Sequence, residues 1–382
     1  MTGSTDRGGA GAGAEASTHG AGAEASTHGE GAGAGAEASA RSEGAGASIS
    51  VVMPSFNDVG RIGDALESIV AQTLAPLEVV VADDCSEDGT EEFVRRFAER
   101  HRDALEVRYT RLPSRSGDAG ARNAGIAQAR GEWIAICDSD DVWAQRKLER
   151  QMEFVRAWRG SQRLALLGSH GLNMNDAGRV VSPARMGPTS EQEYVAVKRR
   201  GGLFFAIHSS VLFRRADWQA LGGYSTADYG AANEFDFFCR LAELGVVVNV
   251  AEPLVYYRKR AGSMQLDLFW ERYHNVMRLQ ENRRRALEGR PPLGRDEYAA
   301  QLAAAPALAR LRHRRRAWGM FYYRAGATDL INGRRLRAGR EIALAALLDG
   351  ARLRSGVRGA AGARLRRLAS RRARTSSAAA VE

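Results

Sequence analysis

The sequence predicts an α/β fold: a mixed, mainly parallel sheet flanked by helices, with a disordered tail before it and an arginine-rich helical extension after it. Two observations carry this expectation. Apolar runs rich in β-branched residues alternate with segments of helical period over about a hundred residues from Ser48, the pattern of successive βαβ units. Each run also ends in a polar cluster, Ser55-Phe56-Asn57, Asp83-Asp84 and Asp138-Ser139-Asp140-Asp141, and parallel sheets gather their function at the carboxyl ends of their strands.

The first strand is ASISVVMPSFN, an apolar run ending at Pro54. Asn57 or Asp58 is placed to cap the helix that follows, in which Ile62, Ala65, Leu66, Ile69 and Val70 fall at helical spacing before Pro76 blocks continuation. LEVVVADD (77–84) is the second strand, and the helix from Thr90 sets Phe93, Val94 and Phe97 on one face. LEVRYTRL (105–112) is the third strand, GDAGARNAGIAQARG (117–131) a glycine-punctuated helix, and EWIAICDSDD (132–141) the fourth strand. Further on, ELGVVVNVAEPLVYYRKRAGSMQ reads as a strand pair, with Trp218 as helix packing before it. Beyond residue 263 the arginine-bearing segments are amphipathic helices.

The first 47 residues are nearly all Gly, Ala, Ser, Thr and Glu, and GAEASTHG occurs at 13–20 and again at 22–29, carrying His19 and His28. Such a composition cannot bury enough surface to offset chain entropy. The expected organisation is a low-complexity tail over 1–47, a catalytic-type domain over 48–262, a helical extension over 263–368 and a flexible tail over 369–382. No apolar stretch reaches the roughly 18 residues of a membrane span, and the start lacks the plan of a secretory signal. The expected location is therefore the cytoplasm, with peripheral contact at the inner face of the membrane as a further role for the basic end. Cys85, Cys137 and Cys239 show no CxxC spacing, which argues for free thiols and against zinc or disulfides. From residue 310 onward nineteen arginines face four acids, a surplus larger than the net charge of +10 of the whole chain. An end of that kind suits an anionic membrane, nucleic acid or plain solvation.

Neither GxGxxG after the first strand nor GxxxxGK[ST] is present, so the sheet lacks the usual glycine cradles for phosphate. Three carboxylates within Asp138-Ser139-Asp140-Asp141 repel one another unless a cation or donors hold them. Mg²⁺ or Mn²⁺ suits that set, because such ions bind few protein oxygens and take the rest from substrate phosphates.

PSFN, VVVADDCSEDGT, GARNAGI, WIAICDSDD and NEFDFFCRL, in that order, resemble the successive motifs of family 2 glycosyltransferases with the GT-A fold, over residues 48 to 262. The resemblance implies an inverting, nucleotide-sugar-dependent enzyme using Mn²⁺ or Mg²⁺. It implies that Phe56 packs against the nucleotide base, usually uracil, and that Asp84 accepts the ring N–H, with Pro54, Asp83 and Ser139 in the same site. It further implies that Arg122 lies beside the donor, that Asp138 touches the ribose and joins Asp140 on the metal, and that a carboxylate on the helix of NEFDFFCRL takes the acceptor's proton. Asp141 is open between coordination and capping.

Aligned through Asp236 and Arg240, the family's Glu-Asp pair stands here as Asn233-Glu234. Glu234 is thus the candidate base, one methylene longer than an aspartate, and Asn233 has lost a charge. His208, Asn233 and Arg258, with Arg260, are candidate contacts to phosphate or acceptor. The plainer readings are core packing for Phe56, helix capping for Asp83 and Asp84, a cap and first-turn acid for Asn233 and Glu234, and a satisfied half-buried ring for His208. Two other functions compete: a sugar-nucleotide pyrophosphorylase, whose glycine-rich triphosphate loop is absent, and a non-catalytic binder of nucleotide sugar or nucleic acid. The sugar, the acceptor and the choice between UDP and dTDP are not legible.

Overall fold

The computed structural model describes residues 48–260 and 268–349. The expected tails over 1–47 and 369–382, and the parts of the extension before 268 and after 349, lie outside the described residues. A nine-stranded sheet runs in the order β3-β2-β1-β4-β8-β6-β9-β5, with β7 paired to β6. Its strands are β1 (Ile49–Ser55), β2 (Glu78–Asp83), β3 (Val107–Arg111), β4 (Trp133–Ile136), β5 (Val142–Trp143), β6 (Leu164–Asn175), β7 (Val180–Ala184), β8 (Leu212–Arg214) and β9 (Val246–Lys259). The strands β3, β2, β1 and β4 form a wholly parallel half. The other half is mixed, with β8 antiparallel to β4 and β6, β9 parallel to β6, and β5 antiparallel to β9.

The helices are α1 (Ile62–Val70), α2 (Thr90–His101), α3 (Gly117–Gln128), α4 (Lys147–Ala157), α5 (Glu191–Arg199), α6 (Arg215–Ala220), α7 (Asn233–Leu244), α8 (Phe269–Leu287), α9 (Arg295–Ala304), α10 (Ala307–Ile331) and α11 (Arg335–Leu348). Every residue of β1 and β2 is buried, as expected for strands covered on both faces. Strand alternation decides which face each serves. Ile49, Val51 and Met53 pack with Ile62, Leu66, Val94 and Phe97 of α1 and α2. Val52 points the other way, with Ile126 of α3 and Phe237 and Phe238 of α7. Gly125 is where α3 comes closest to the sheet: a Cβ there would stand 2.6 Å from Val52 Cγ1 and 3.2 Å from the Ala82 Cβ. Pro54 is tolerated because β1 pairs with β4 only from Ile49 to Val52, so no partner on that side is deprived of its missing N–H.

Three local expectations need correction. Neither Asn57 nor Asp58 caps α1 with its side chain; the Asp58 backbone carbonyl takes the N–H groups of Arg61 and Ile62, both at 3.0 Å, which frees its carboxylate. The fourth strand stops at Ile136, because the polar segment behind it folds into a turn whose Asp141 N–H returns to the Asp138 carbonyl at 3.1 Å. The strand pair near the C-terminal side is one strand, β9. Pro253 falls at a register irregularity opposite His170, so the bulge absorbs the missing donor and the strand continues.

Candidate functional site

The three polar turns meet at one sheet edge. Asn57 and Cys85, just beyond β1 and β2, both hold left-handed backbone, with φ of 48° and 67°. Asparagine tolerates that region best among non-glycine residues, and here side-chain bonds fix it. The Asn57 N–H donates to Ser86 Oγ at 2.8 Å, and Asn57 Oδ1 accepts from the Glu87 N–H at 2.8 Å. This lock separates the two aspartates of the second turn. Asp83 is fully buried and closes the turn, accepting from the Ser86 N–H at 2.9 Å and from the Ser86 hydroxyl. Asp84 instead faces the start of α3, accepting from the Ser116 N–H at 2.6 Å, the Gly117 N–H at 3.0 Å and Arg115 Nε at 3.1 Å. Phe56 is 38% exposed beside it, and the Arg115 guanidinium lies 3.4 Å from its ring centre. Core packing therefore does not describe Phe56, whereas closing a turn does describe Asp83. Pro54 is buried inside β1.

The carboxylate turn after β4 is held by arginines. Arg122, on the buried face of α3, reaches Asp118 Oδ2 at 2.7 Å and Asp138 Oδ1 at 3.1 Å. Burial works against its charge, but these two carboxylates outweigh it and push its pKa up. Asp118 is held below the usual carboxylate range: burial opposes this, and Arg122 prevails. Asn233 Nδ2 donates to Asp118 Oδ1 at 3.1 Å and to the Gly230 carbonyl at 2.8 Å. A carboxylate at 233 would face Asp118 directly, which accounts for the missing charge there.

His208 sits on the same cluster, its Nδ1 3.8 Å from Asp138 Oδ1 and its Nε2 3.0 Å from the Tyr224 hydroxyl. Burial first, then Arg122, hold the ring neutral. The Asp138 N–H donates to Ser209 Oγ at 3.0 Å, and Ser139 Oγ donates to Asp58 Oδ2 at 2.8 Å.

Asp140 is pushed up to about 6, first by burial and then by Asp138 and Asp58, with Arg260 opposing. Arg260 spans the two acids, with Nε 3.2 Å from Asp140 Oδ2 and Nη1 3.1 Å from Asp58 Oδ1. Asp141 is fully buried and raised well above the ordinary value by burial, Asp140 and Asp138. It accepts from the Ser209 hydroxyl and from the Arg258 N–H at 2.8 Å, so it binds the turn to β9. Arg258 is a strut as well: its guanidinium donates to the Asp140 carbonyl, the Asp176 carbonyl and Asp64 at 2.7, 3.0 and 3.2 Å. Arg260, not Arg258, faces the carboxylates.

Asp138 and Asp140 are the groups able to hold a divalent cation, since hard oxygen donors suit Mg²⁺ or Mn²⁺ and an ion would relieve the repulsion that raises Asp140. Among the described residues no three acidic, imidazole or thiol side chains converge on one point to hold an ion unaided. Any cation here would draw the remaining ligands from a bound substrate.

Glu234, in the first turn of α7, is nearly buried and pairs with Arg272 of α8, which also donates to the Ala231 carbonyl at 2.9 Å. Buried polar atoms without a partner are rare, and three of those among the described residues belong to this cluster: Arg122 Nε, Asn233 Oδ1 and Arg272 Nε. Sequence reasoning missed Asp58, Asp118, Arg115 and Arg272. Asp118 was discoverable as an acid four residues before Arg122 on one helix. Nothing local announces Arg272 as the partner of Glu234.

Residues 50–219 match the family model described as glycosyl transferase family 2. That match spans 170 of the 382 residues, from β1 to the helix α6. The chain is 41% identical over 105 residues to the succinoglycan biosynthesis protein ExoO of Rhizobium meliloti, 28% of this chain and 29% of that one. It is 37% identical over 107 residues to the UDP-Glc:alpha-D-GlcNAc-diphosphoundecaprenol beta-1,3-glucosyltransferase WfgD of Escherichia coli, 28% of this chain and 40% of that one. The chain thus spans less than half the length of both. Among solved structures, S. aureus TarS 1-349 in complex with UDP-GlcNAc aligns with a TM-score of 0.46 at 17% identity, covering 80% of this chain and 92% of that one.

Removing Arg122 tests the cluster. Asp118, with its lowered pKa, contributes stability that is complete above the unfolded carboxylate's pKa and is lost as pH falls through the lower folded value. In Arg122→Met the carboxylates of Asp118 and Asp138 are left uncompensated, with an expected loss of about 3–5 kcal/mol at neutral pH in urea denaturation. The deficit relative to wild type should shrink toward about pH 4, where unpaired carboxylates protonate. A deficit under about 1 kcal/mol, or one independent of pH, contradicts the assignment.

Proposed function

We propose that this chain is a metal-dependent, inverting glycosyltransferase that moves a sugar from a nucleotide-diphosphate sugar, a UDP-sugar foremost, to a hydroxyl of a glycan or lipid-linked acceptor. The observation that carries the reading is the meeting of an exposed aromatic ring and a carboxylate, Phe56 and Asp84, with the carboxylates of Asp138 and Asp140 at one sheet edge. The first pair suits a base, with the ring for stacking and the carboxylate for a ring N–H donor. The second suits a cation on a diphosphate, and a divalent ion bound there would stabilise the charge that develops on the leaving group.

In this reading Asp138 serves the ribose and, with Asp140, the metal, and Ser139 holds the turn against Asp58. Arg122 fixes Asp138, and Arg260 adds positive charge near the diphosphate. Glu234 takes the proton of the acceptor hydroxyl as that oxygen attacks the anomeric carbon from the face opposite the nucleotide. The bond from that carbon to the diphosphate oxygen breaks, and the nucleoside diphosphate departs with the electron pair. Arg272 holds the Glu234 carboxylate in place for this. A lipid-linked acceptor is supported by the diphosphoundecaprenol acceptor in the name of the Escherichia coli relative.

Asp140→Ala and Glu234→Gln are each expected to lower UDP release from UDP-glucose or UDP-GlcNAc, with membrane glycolipid as acceptor, by about a hundredfold or more while melting normally. Near-wild-type turnover in either variant removes the role given to that residue.

The start of α10 supports peripheral contact with an anionic membrane. Arg310, Arg312, Arg314, Arg315 and Arg316 are exposed there together with Leu308 and Leu311, and Asp329 is the one acid in the helix. Basic surface helices with an apolar edge bind anionic headgroups. Among the described residues no helix is long and apolar enough to cross a membrane. The full chain should cosediment with vesicles containing phosphatidylglycerol and be released by high salt. Equal retention on purely zwitterionic vesicles, or none on either, contradicts this contact.

A further inference from the structure

Arg115 occupies the place that the nucleotide reading assigns to the base. Its guanidinium carbon lies 3.4 Å from the centre of the Phe56 ring, which is van der Waals contact and leaves no room for a planar ring between them. The same guanidinium presents its Nε–H to Asp84 Oδ2 at 3.1 Å. One planar group thus stacks on the aromatic ring and donates an in-plane N–H to the carboxylate, the two interactions expected of a pyrimidine with a ring N–H.

The rest of the pocket does not depend on Arg115. Asp84 keeps the N–H groups of Ser116 and Gly117 in any case, and the Asn57 and Ser86 bonds hold both turns. The Arg115 side chain is 56% exposed on the short connection between β3 and α3. Both of its contacts are of the kind that contributes little at a surface, a stacked cation and a single ion pair. It can leave without disturbing the scaffold.

We infer that Arg115 is an internal stand-in for the nucleobase, holding Phe56 and Asp84 in their binding geometry and being displaced when a uracil-type base enters. This rests on the nucleotide-binding reading of those two residues. The consequence is competitive: the side chain weakens base binding by the strength of its own two contacts, and leaves diphosphate binding untouched.

The test compares wild-type full-length protein with Arg115→Ala by calorimetric titration with UDP, uridine and pyrophosphate, with Mn²⁺ present. Arg115→Ala is expected to bind UDP and uridine about two- to tenfold more tightly, with pyrophosphate unchanged and the melting curve preserved. Unchanged or weaker binding of uridine and UDP overturns the inference, as a stand-in cannot be removed without relieving competition. Weaker pyrophosphate and UDP binding together, with uridine unaffected, also overturns it and assigns Arg115 to phosphate. If wild type and variant alike bind neither UDP nor uridine, the nucleotide reading itself falls and the inference with it.

Discussion

The guanidinium of Arg122 is buried between two carboxylates, Asp118 on its own helix and Asp138 on the turn after β4, and the cluster on either side is arranged around that charge. An arginine out of water is tolerated only with opposite charge and hydrogen bonds close by. Asp118 is tied in turn to Asn233 at the head of α7, which carries Glu234 one residue on. A continuous set of contacts therefore links the carboxylate turn after β4 to the helix that carries the candidate base. The close approach of α3 to the sheet at Gly125 sets the height from which Arg122 reaches both partners.

Around this centre the carboxylates form a cluster that stores repulsion. Asp58, Asp138, Asp140 and Asp141 come from two turns, and burial together with their mutual charge raises Asp140 and Asp141. Arg260 lies across Asp58 and Asp140, while the backbone N–H of Arg258 and the hydroxyl of Ser209 hold Asp141. Arg258 at the end of β9 and Arg260 just past it lie far along the chain, and the partner of Glu234 comes from α8, so the edge of the parallel half-sheet is completed by later elements. Apart from Arg122, which shares its helix with Asp118, the site's cations lie on segments other than those that supply its acids, and the family match ends at residue 219, before β9 and α8.

Much of this was legible in the chain. The βαβ half follows from β-branched runs that stop at polar clusters, because strands buried on both faces admit little else. Those clusters marked the candidate site, and the aromatic and acidic residues within them were legible candidates. Three features were not. Asp58 looked like a cap because it precedes a helix, but whether a carboxylate caps or serves the site depends on Arg260, 202 positions away. The segment that holds Pro253 read as a strand pair, and only its pairing with β6 shows a bulge that carries one strand through. Asn233 looked like a lost charge, and its sense lies in Asp118, 115 positions earlier. Local pattern reports which residues a segment offers, whereas their use depends on partners that only the tertiary fold supplies.

The most direct test of the account is a calorimetric titration of the full chain with UDP, first with Mn²⁺ and then with EDTA, in wild type and in Asp140→Ala. If the carboxylate turn holds a metal on a donor diphosphate, wild type binds UDP in a metal-dependent way and the variant loses that dependence while remaining folded. UDP binding of equal strength with and without metal, or unaltered in Asp140→Ala, would contradict the claim that these aspartates serve a nucleotide diphosphate through a cation.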